Sequence, residues 1–372
     1  MRVRTLWLTD FRSYASAEVD LAPGLTALVG ANGAGKTNLL EALAWLATLS
    51  SMRGAPTEAL VRRGAPFAVV RALVEHGGRE ILMEAQIQPS GRNRVLVNRQ
   101  PLRRARDLLG SLRVTVFTPD DLELVKGGPA GRRRFLDETL VAVHPRNDGL
   151  RTEVDRVLRQ RNALLRQVGG RLDEGAAFTL DVWDAKLVEA GAALVRARLE
   201  LLDRMRPVLA ATYADLAGRP VPVTGRYESV WLPADAGGDD VAPALADALA
   251  ASRSDDVRRG VSAVGPHRDE VALTIGAGPA RTEGSQGEQR TLALALRLAA
   301  HHVVTAASGA SPVLLLDDVF SELDADRSAA LLTNLPAAQT LVTTASHLPT
   351  GAVPDRVLRI VDGGIRPDEG SS

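Results

Sequence analysis

The chain has 372 residues, 45% of them hydrophobic, with 45 basic side chains balanced by 45 acidic ones and no cysteine. That composition builds a sizeable core, excludes disulfides, thiolate catalysis and cysteine-bound zinc, and leaves any nucleic-acid surface to a local patch. No apolar run reaches the roughly 18 residues that a bilayer span needs, and the start MRVRTLWLTDF lacks a secretory signal's apolar stretch, so the expected setting is the cytoplasm, with no membrane partner.

VRTLWL, AEVDLA and GLTALVG read as short strands, the last two separated by a Pro23-Gly24 turn. A helix is predicted over 37–49, where Leu39, Leu40, Leu43, Leu46 and Ala47 recur at helical spacing, and strands follow at 67–75, 80–88, 94–97 and 113–117. From 121 to 218 the pattern turns helical: RRRFLDETLVAV, LRTEVDRVLRQRNALLRQV, then a long segment from Phe178 to Leu216. That segment aligns Leu180, Trp183, Leu187, Leu194 and Leu201, and Gly169-Gly170 and Gly175 interrupt the helices. Residues 232–243 read as a surface loop, and β character returns after Pro266. The expected fold class is α/β, with a split domain over 1–120 and 260–372 and a mainly helical lobe, 121–259, inserted into it.

Gly30-Ala31-Asn32-Gly33-Ala34-Gly35-Lys36-Thr37 satisfies G-x-x-x-x-G-K-T between a predicted strand and a predicted helix, the context this phosphate motif requires. Backbone N–H groups and the helix N-terminus receive phosphate oxygens, Lys36 reaches the β and γ phosphates of ATP, and the Thr37 hydroxyl binds Mg²⁺. Only three lysines occur in the chain, and Lys36 stands where a compact ammonium fits and a planar guanidinium does not. Pro312-Val313-Leu314-Leu315-Leu316-Asp317-Asp318 reads as a strand buried on both faces and ending in two carboxylates. Asp317 is assigned to Mg²⁺ through water, and Asp318 to orienting or activating the attacking water.

Ser285-Gln286-Gly287-Glu288-Gln289 opens the helix TLALALRLAAHHVV, with Ser285 as N-cap and Glu288 completing a capping box. Alone it is a well-started helix. Followed by the Asp317-Asp318 strand and by Ser321-Glu322-Leu323-Asp324, it gives the motif order of ABC-type ATPases.

Further segments narrow the class: Asp10-Phe11-Arg12-Ser13-Tyr14, Phe117-Thr118-Pro119-Asp120-Asp121-Leu122, Lys126-Gly127-Gly128-Pro129 with Arg132-Arg133-Arg134-Phe135-Leu136-Asp137, and Gly265-Pro266-His267-Arg268-Asp269. With these the chain resembles the RecF family of SMC-like recombination mediators from Leu8 to about Arg359. The resemblance implies an ABC/SMC-like ATPase head with a helical insertion and no long coiled coil. It further implies ATP-driven head-to-head dimerisation, slow hydrolysis, binding of double-stranded and gapped DNA, and work with RecR and RecO-type proteins to place RecA on single strands. In such heads Ser285, Gln286, Gly287 and Gln289 would contact nucleotide held by the opposite copy, Arg12 would touch phosphate, and Asp324 would lie at the shared interface or simply start a helix facing solvent.

Departures from the ABC pattern carry expectations too. Asp318 stands where a glutamate is usual, which suggests slow hydrolysis. No glutamine follows RVTVF, so either Asp120 substitutes or nothing does, and His347 follows TLVTTA slightly later than a switch histidine would, as a switch or as an ordinary loop histidine. For DNA, Arg132, Arg133 and Arg134, and Arg151, Arg156, Arg159, Arg161 and Arg166 on one insertion helix, suit sequence-independent duplex contacts, since few aromatics accompany them. A solvated face with Glu153 and Asp155 pairing some arginines is the alternative. A transporter motor subunit would share the phosphate motifs without so large a helical insertion, and a Rad50 or other SMC chromosome protein would need long coiled-coil arms.

Overall fold

The computed structural model describes residues 1–233, 236–345, 348–361 and 363–367. They divide into two compact units, the first Met1–Asp121, Thr212–Pro220 and Thr291–Ser372, the second Leu122–Ala211 and Val221–Arg290. The chain begins with β1 (Arg2–Phe11), β2 (Tyr14–Asp20), β3 (Leu25–Val29), α1 (Lys36–Thr48), β4 (Ala68–His76), β5 (Arg79–Ile87), β6 (Arg94–Val97), β7 (Gln100–Pro101) and β8 (Val114–Phe117). Then come α2 (Glu123–Lys126), α3 (Pro129–Val143), α4 (Asp148–Gln167), α5 (Glu174–Ala217), β9 (Val223–Glu228), α6 (Val241–Arg259), β10 (Glu270–Ile275), β11 (Gly278–Pro279) and α7 (Ala280–Glu283). It closes with α8 (Gln286–Ser308), β12 (Val313–Asp317), α9 (Ala325–Asn334), β13 (Thr340–Thr344), β14 (Arg356–Val361) and β15 (Gly364–Pro367).

In the first unit an antiparallel sheet runs β2-β1-β4-β5-β6-β7, and a mainly parallel one runs β15-β14-β3-β13-β12-β8. Period-two patterning sets the first sheet, where Val70, Ala72 and Val74 are buried and Arg71 between them is exposed. The second is buried on both faces at its centre: every residue of β12 and β13 is buried. Helix α1 turns Leu39, Leu40, Leu43 and Leu46 into the core, as their spacing predicts, and ends where Leu49 takes a left-handed φ of 57° and its N–H reaches Trp45 O.

His301, on α8, is almost wholly buried against β8. Its Nδ1 lies 3.0 Å from Thr115 Oγ1, its Nε2 has no hydrogen-bond partner among the described residues, and burial, helped by nearby His302, holds its pKa down to about 4. A folded-state pKa below the unfolded value means that this imidazole stabilises the fold fully above about pH 6.5 and loses that contribution as pH falls toward 4, a term of roughly 3 kcal/mol. The melting temperature should therefore drop between pH 6.5 and 4.5, and His301→Gln should shrink the drop; equal pH slopes for variant and wild type would refute the assignment.

The second unit holds α3, α4, most of α5, and α6, together with a three-stranded antiparallel sheet, β11-β10-β9. The compact units divide the chain differently from the expected split. Residues 260–290, assigned to the head from sequence, cluster with the helical unit, because β10 pairs with β9 along its whole length from Glu270↔Glu228 to Ile275↔Val223. Two smaller expectations also change: Gly175 lies inside α5 instead of interrupting it, and the predicted loop 232–243 runs into α6, which starts at Val241 with Pro243 in its first turn.

Buried ion pairs knit this unit together. Arg198 meets Asp137 through two bonds of 2.8 and 2.9 Å and donates to Pro266 O, while Asp269 accepts from Tyr227 Oη and Trp231 Nε1. Arg161 is fully buried on Asp184, Asp256 and Ser262, so it does not belong to an exposed basic face. Breaking one partner of such a pair typically costs about 3–5 kcal/mol, because the other charge stays buried. The RRRFLD and GPHRD segments thus meet as interior scaffolding.

Candidate functional site

The glycine-rich loop leaves β3 and enters α1 at Lys36. Gly30 has no room for a side chain, since a Cβ there would stand 2.4 Å from Ile360 O, and Gly35 takes φ 111°, which only glycine adopts easily. Gly30→Ala should displace β14 or the loop, costing about 1–3 kcal/mol and weakening phosphate binding. Thermal melting and nucleotide titration check this, and a variant with both properties unchanged would contradict the close approach.

Asn32, Gly33, Gly35, Lys36, Thr37, Asn38, Arg53, Asp318 and Thr343 line a cavity of about 370 Å³. The Lys36 ammonium, nearly buried, donates to Gly30 O at 2.7 Å and Ala31 O at 3.0 Å. Burial lowers its pKa, while Asp318 and then Asp317 oppose the shift. Across the cavity, Thr37 Oγ1 donates to Asp317 Oδ1 at 2.7 Å, joining the start of α1 to the end of β12. β3, which leads into α1, and β12 are not neighbours; β13 lies between them, and its Thr343 Oγ1 donates to Asp317 Oδ1 at 2.9 Å and accepts from Asp318 N at 2.9 Å. Burial raises the Asp317 pKa against the pull of the Thr37 and Thr343 hydroxyls and of Arg53. A carboxylate held this way gains most from a cation beside it.

Asp318 takes a left-handed φ of 50°, a disfavoured backbone for a non-glycine residue, which turns its side chain into the cavity rather than continuing β12. Arg53 was not singled out from sequence; its Nη2 donates to Asn38 Oδ1 at 3.1 Å on the cavity wall. Thr343 was also missed, although a threonine inside a strand buried on both faces is itself a signal.

Arg12 braces the loop from behind. Its Nε and Nη2 donate to Glu41 at 2.8 and 2.9 Å, and that fully buried carboxylate also accepts from Ser51 Oγ. Beside it, Tyr14 Oη donates to Gly35 O and Asn38 Nδ2 donates to Ser13 Oγ. Asp120 is exposed in the turn after β8, the parallel neighbour of β12, while Asp121 is buried and takes Arg297 Nη2 at 2.7 Å.

At the start of α8, Ser285 Oγ accepts from Glu288 N at 3.3 Å, and Glu288 Oε2 accepts from Ser285 N at 3.0 Å, the reciprocal capping box read from sequence. Ser285 and Gln286 are exposed and Gly287 is half-buried. Gln289, expected at nucleotide of the opposite copy, is buried, and its Nε2 donates to Ala280 O and Arg281 O of α7. Asp324 caps α9 by accepting from Arg327 N at 2.8 Å, the bond that chiefly lowers its pKa. His347 lies outside the described residues.

Of the basic residues expected at DNA, Arg132 faces the interior. It is buried, forks onto Glu270 at 2.8 and 2.7 Å, and spends Nη1 on Leu124 O and Gly127 O, so most of its N–H groups are engaged inside the unit. Arg133 is half-buried and donates to Asp269 O, whereas Arg134 and Arg159 are exposed.

The family described as RecF/RecN/SMC N terminal domain matches residues 2–361. The chain is 47% identical to the DNA replication and repair protein RecF of Frankia alni, covering 93% of each. It is 42% identical to that of Arthrobacter sp. (strain FB24), over 99% of this chain and 100% of the relative. Among solved structures, the recombination mediator protein RecF-ATP in the RecFOR pathway superposes with a TM-score of 0.90 at 27% identity, covering 98% of this chain and 97% of that one. An Smc head domain from Pyrococcus furiosus shares the fold at a TM-score of 0.56 and 16% identity.

Proposed function

We propose, for a chain that belongs to the RecF family, that it is an ATP-dependent recombination mediator of DNA repair and replication, an ABC/SMC-type ATPase that pairs head to head on ATP and then holds DNA. The observation that carries this reading is the 2.7 Å bond from Thr37 to Asp317 beside Lys36, which assembles both halves of a nucleotide-phosphate site in one cavity.

Gly33 to Lys36 present N–H donors to phosphate oxygens, and Lys36 exchanges its carbonyl partners for the β and γ phosphates. Thr37 Oγ1 and an Asp317 oxygen are hard donors already adjacent, the pair that would hold Mg²⁺, directly and through water. Bound there, Mg²⁺ supplies charge neutralisation across the β and γ phosphates. Asp318, set in the cavity by its backbone turn, positions the attacking water, and its short side chain favours slow turnover. The exposed Ser285 hydroxyl with the N–H groups it caps forms a second anion site, which one copy offers to nucleotide held by another.

Exposed Arg134 and Arg159 support backbone contacts to double-stranded or gapped DNA. RecR and RecO-type proteins and RecA are the partners that follow from the RecFOR pathway named for the solved relative, and cytoplasmic action fits a chain with no helix, among the described residues, long and apolar enough to cross a membrane. Light scattering and duplex binding, with and without ATP, test the reading. Mass should double and DNA affinity should rise with ATP; no change in either removes the ATP-gated clamp.

A further inference from the structure

One edge of the first unit's antiparallel sheet carries charge that the fold leaves uncompensated. Residues 89–106 contain six arginines, Arg92, Arg94, Arg99, Arg103, Arg104 and Arg106, and no acidic residue, in a chain whose acids and bases are equal in number. All six are exposed. They occupy the β5–β6 turn, β6, the β6–β7 turn and the segment after β7, the last strand of that sheet. Arg104 pairs with Asp107, while no ion pair engages the other five among the described residues.

The geometry gathers these cations and fixes them. Val97 pairs with Gln100 and Leu96 with Pro101, and Leu102 N donates to Val95 O at 2.9 Å, so Arg103 arrives level with Arg94 on the adjoining strand. Like charges set opposite each other across a strand pair are destabilising. Arg99 adds a backbone cost: in the two-residue turn, Asn98 and Arg99 take φ of 49° and 66°, and glycine is the favoured residue at the second place. Both turns are nevertheless well anchored, because Asn93 Oδ1 accepts from Gln88 N and Asn98 Oδ1 accepts from Leu82 N, each at 2.9 Å.

Charged edges often serve only to block strand pairing, and lysine or mixed charges suffice for that. Here all six cations are arginines, as are nearly all of the chain's basic residues, and the arginine fork matches phosphate oxygens in pairs. Arg94 and Arg99 bracket a strand about 13 Å long, enough to meet several phosphates of a duplex strand whose charges recur every ~3.4 Å along the axis.

We infer that this sheet edge is a contact surface for the sugar-phosphate backbone of duplex DNA, additional to the helical unit's arginines. The inference rests on the DNA-binding reading above. It is tested on the full chain with ATP, comparing wild type with the triple variant Arg94→Gln, Arg99→Gly, Arg103→Gln in binding of a labelled duplex across a salt series. The triple variant should lose about 2 to 3 units from the slope of log affinity against log salt and at least roughly tenfold in affinity at low salt, at ~0.9 unit per phosphate contact. Its ATP turnover without DNA should be unchanged. Arg99→Gly alone should melt at the same or a higher temperature while losing about one unit of slope, a combination that a merely structural arginine does not give. Unchanged slope and affinity in the triple variant, beside a wild type that binds, overturns the inference and leaves DNA binding standing. So does loss of polyglutamate binding with duplex binding intact, which assigns the edge to an acidic protein. A wild type that binds no duplex removes the DNA-binding reading itself, and this inference with it.

Discussion

Lys36→Met is expected to lower ATP turnover by about 10²–10³-fold or more, because it removes the one mobile cation from the loop while keeping the length of the side chain. The protein should still fold, since the ammonium bonds only to Gly30 O and Ala31 O and a thioether fills the same nearly buried space. Lys36→Arg should not restore activity: the guanidinium is planar and wide, and the space between the loop carbonyls accepts a point charge. Steady-state turnover, nucleotide titration and thermal melting together check this. Turnover within tenfold of wild type for Lys36→Met would remove Lys36 from the phosphate site.

Ser285→Arg is expected to abolish ATP-driven pairing and the turnover that depends on it, by placing a bulky cation on an exposed helix start shaped for an anion. The stronger result comes from mixing the two inactive variants. If Ser285 serves nucleotide held by a second copy, a mixed pair contains one intact site, built from the Lys36 of one variant and the Ser285 of the other. An equal mixture should then regain turnover that neither variant shows alone, one intact site per mixed pair. If Ser285 acts within its own chain, every site in the mixture is defective and no activity returns.

The phosphate loop, the strand ending in Asp317 and the capping box were all legible in sequence, because each couples a short spacing to a local structure: Gly30 to Thr37 between strand and helix, and Ser285 to Glu288 within one turn. What sequence obscured was the direction of individual side chains. Arg132 reads as part of a basic run until Glu270, 138 positions away, is folded onto it. Gln289 follows the signature serine by four positions and so lies one turn below it, facing α7. The placement of 260–290 with the helical unit was hidden for a related reason: strand pairing between β9 and β10 is a long-range choice that no local pattern encodes. Thr343 and Arg53 reach the cavity from segments whose own sequences carry no phosphate motif.

The segment from Asp10 to Tyr14 has one further consequence, for the timing of the cycle. It leaves β1 with Asp10 and Arg12 both in the left-handed region and ties Arg12 to Glu41, Ser13 to Asn38 and Tyr14 to Gly35, so the loop's shape is held from behind by the chain itself. A cradle braced this way asks for little ordering when nucleotide arrives. In the proposed cycle, capture then proceeds at the pace of encounter, and the slow steps are those that follow it, the pairing of two copies and the cleavage that would part them.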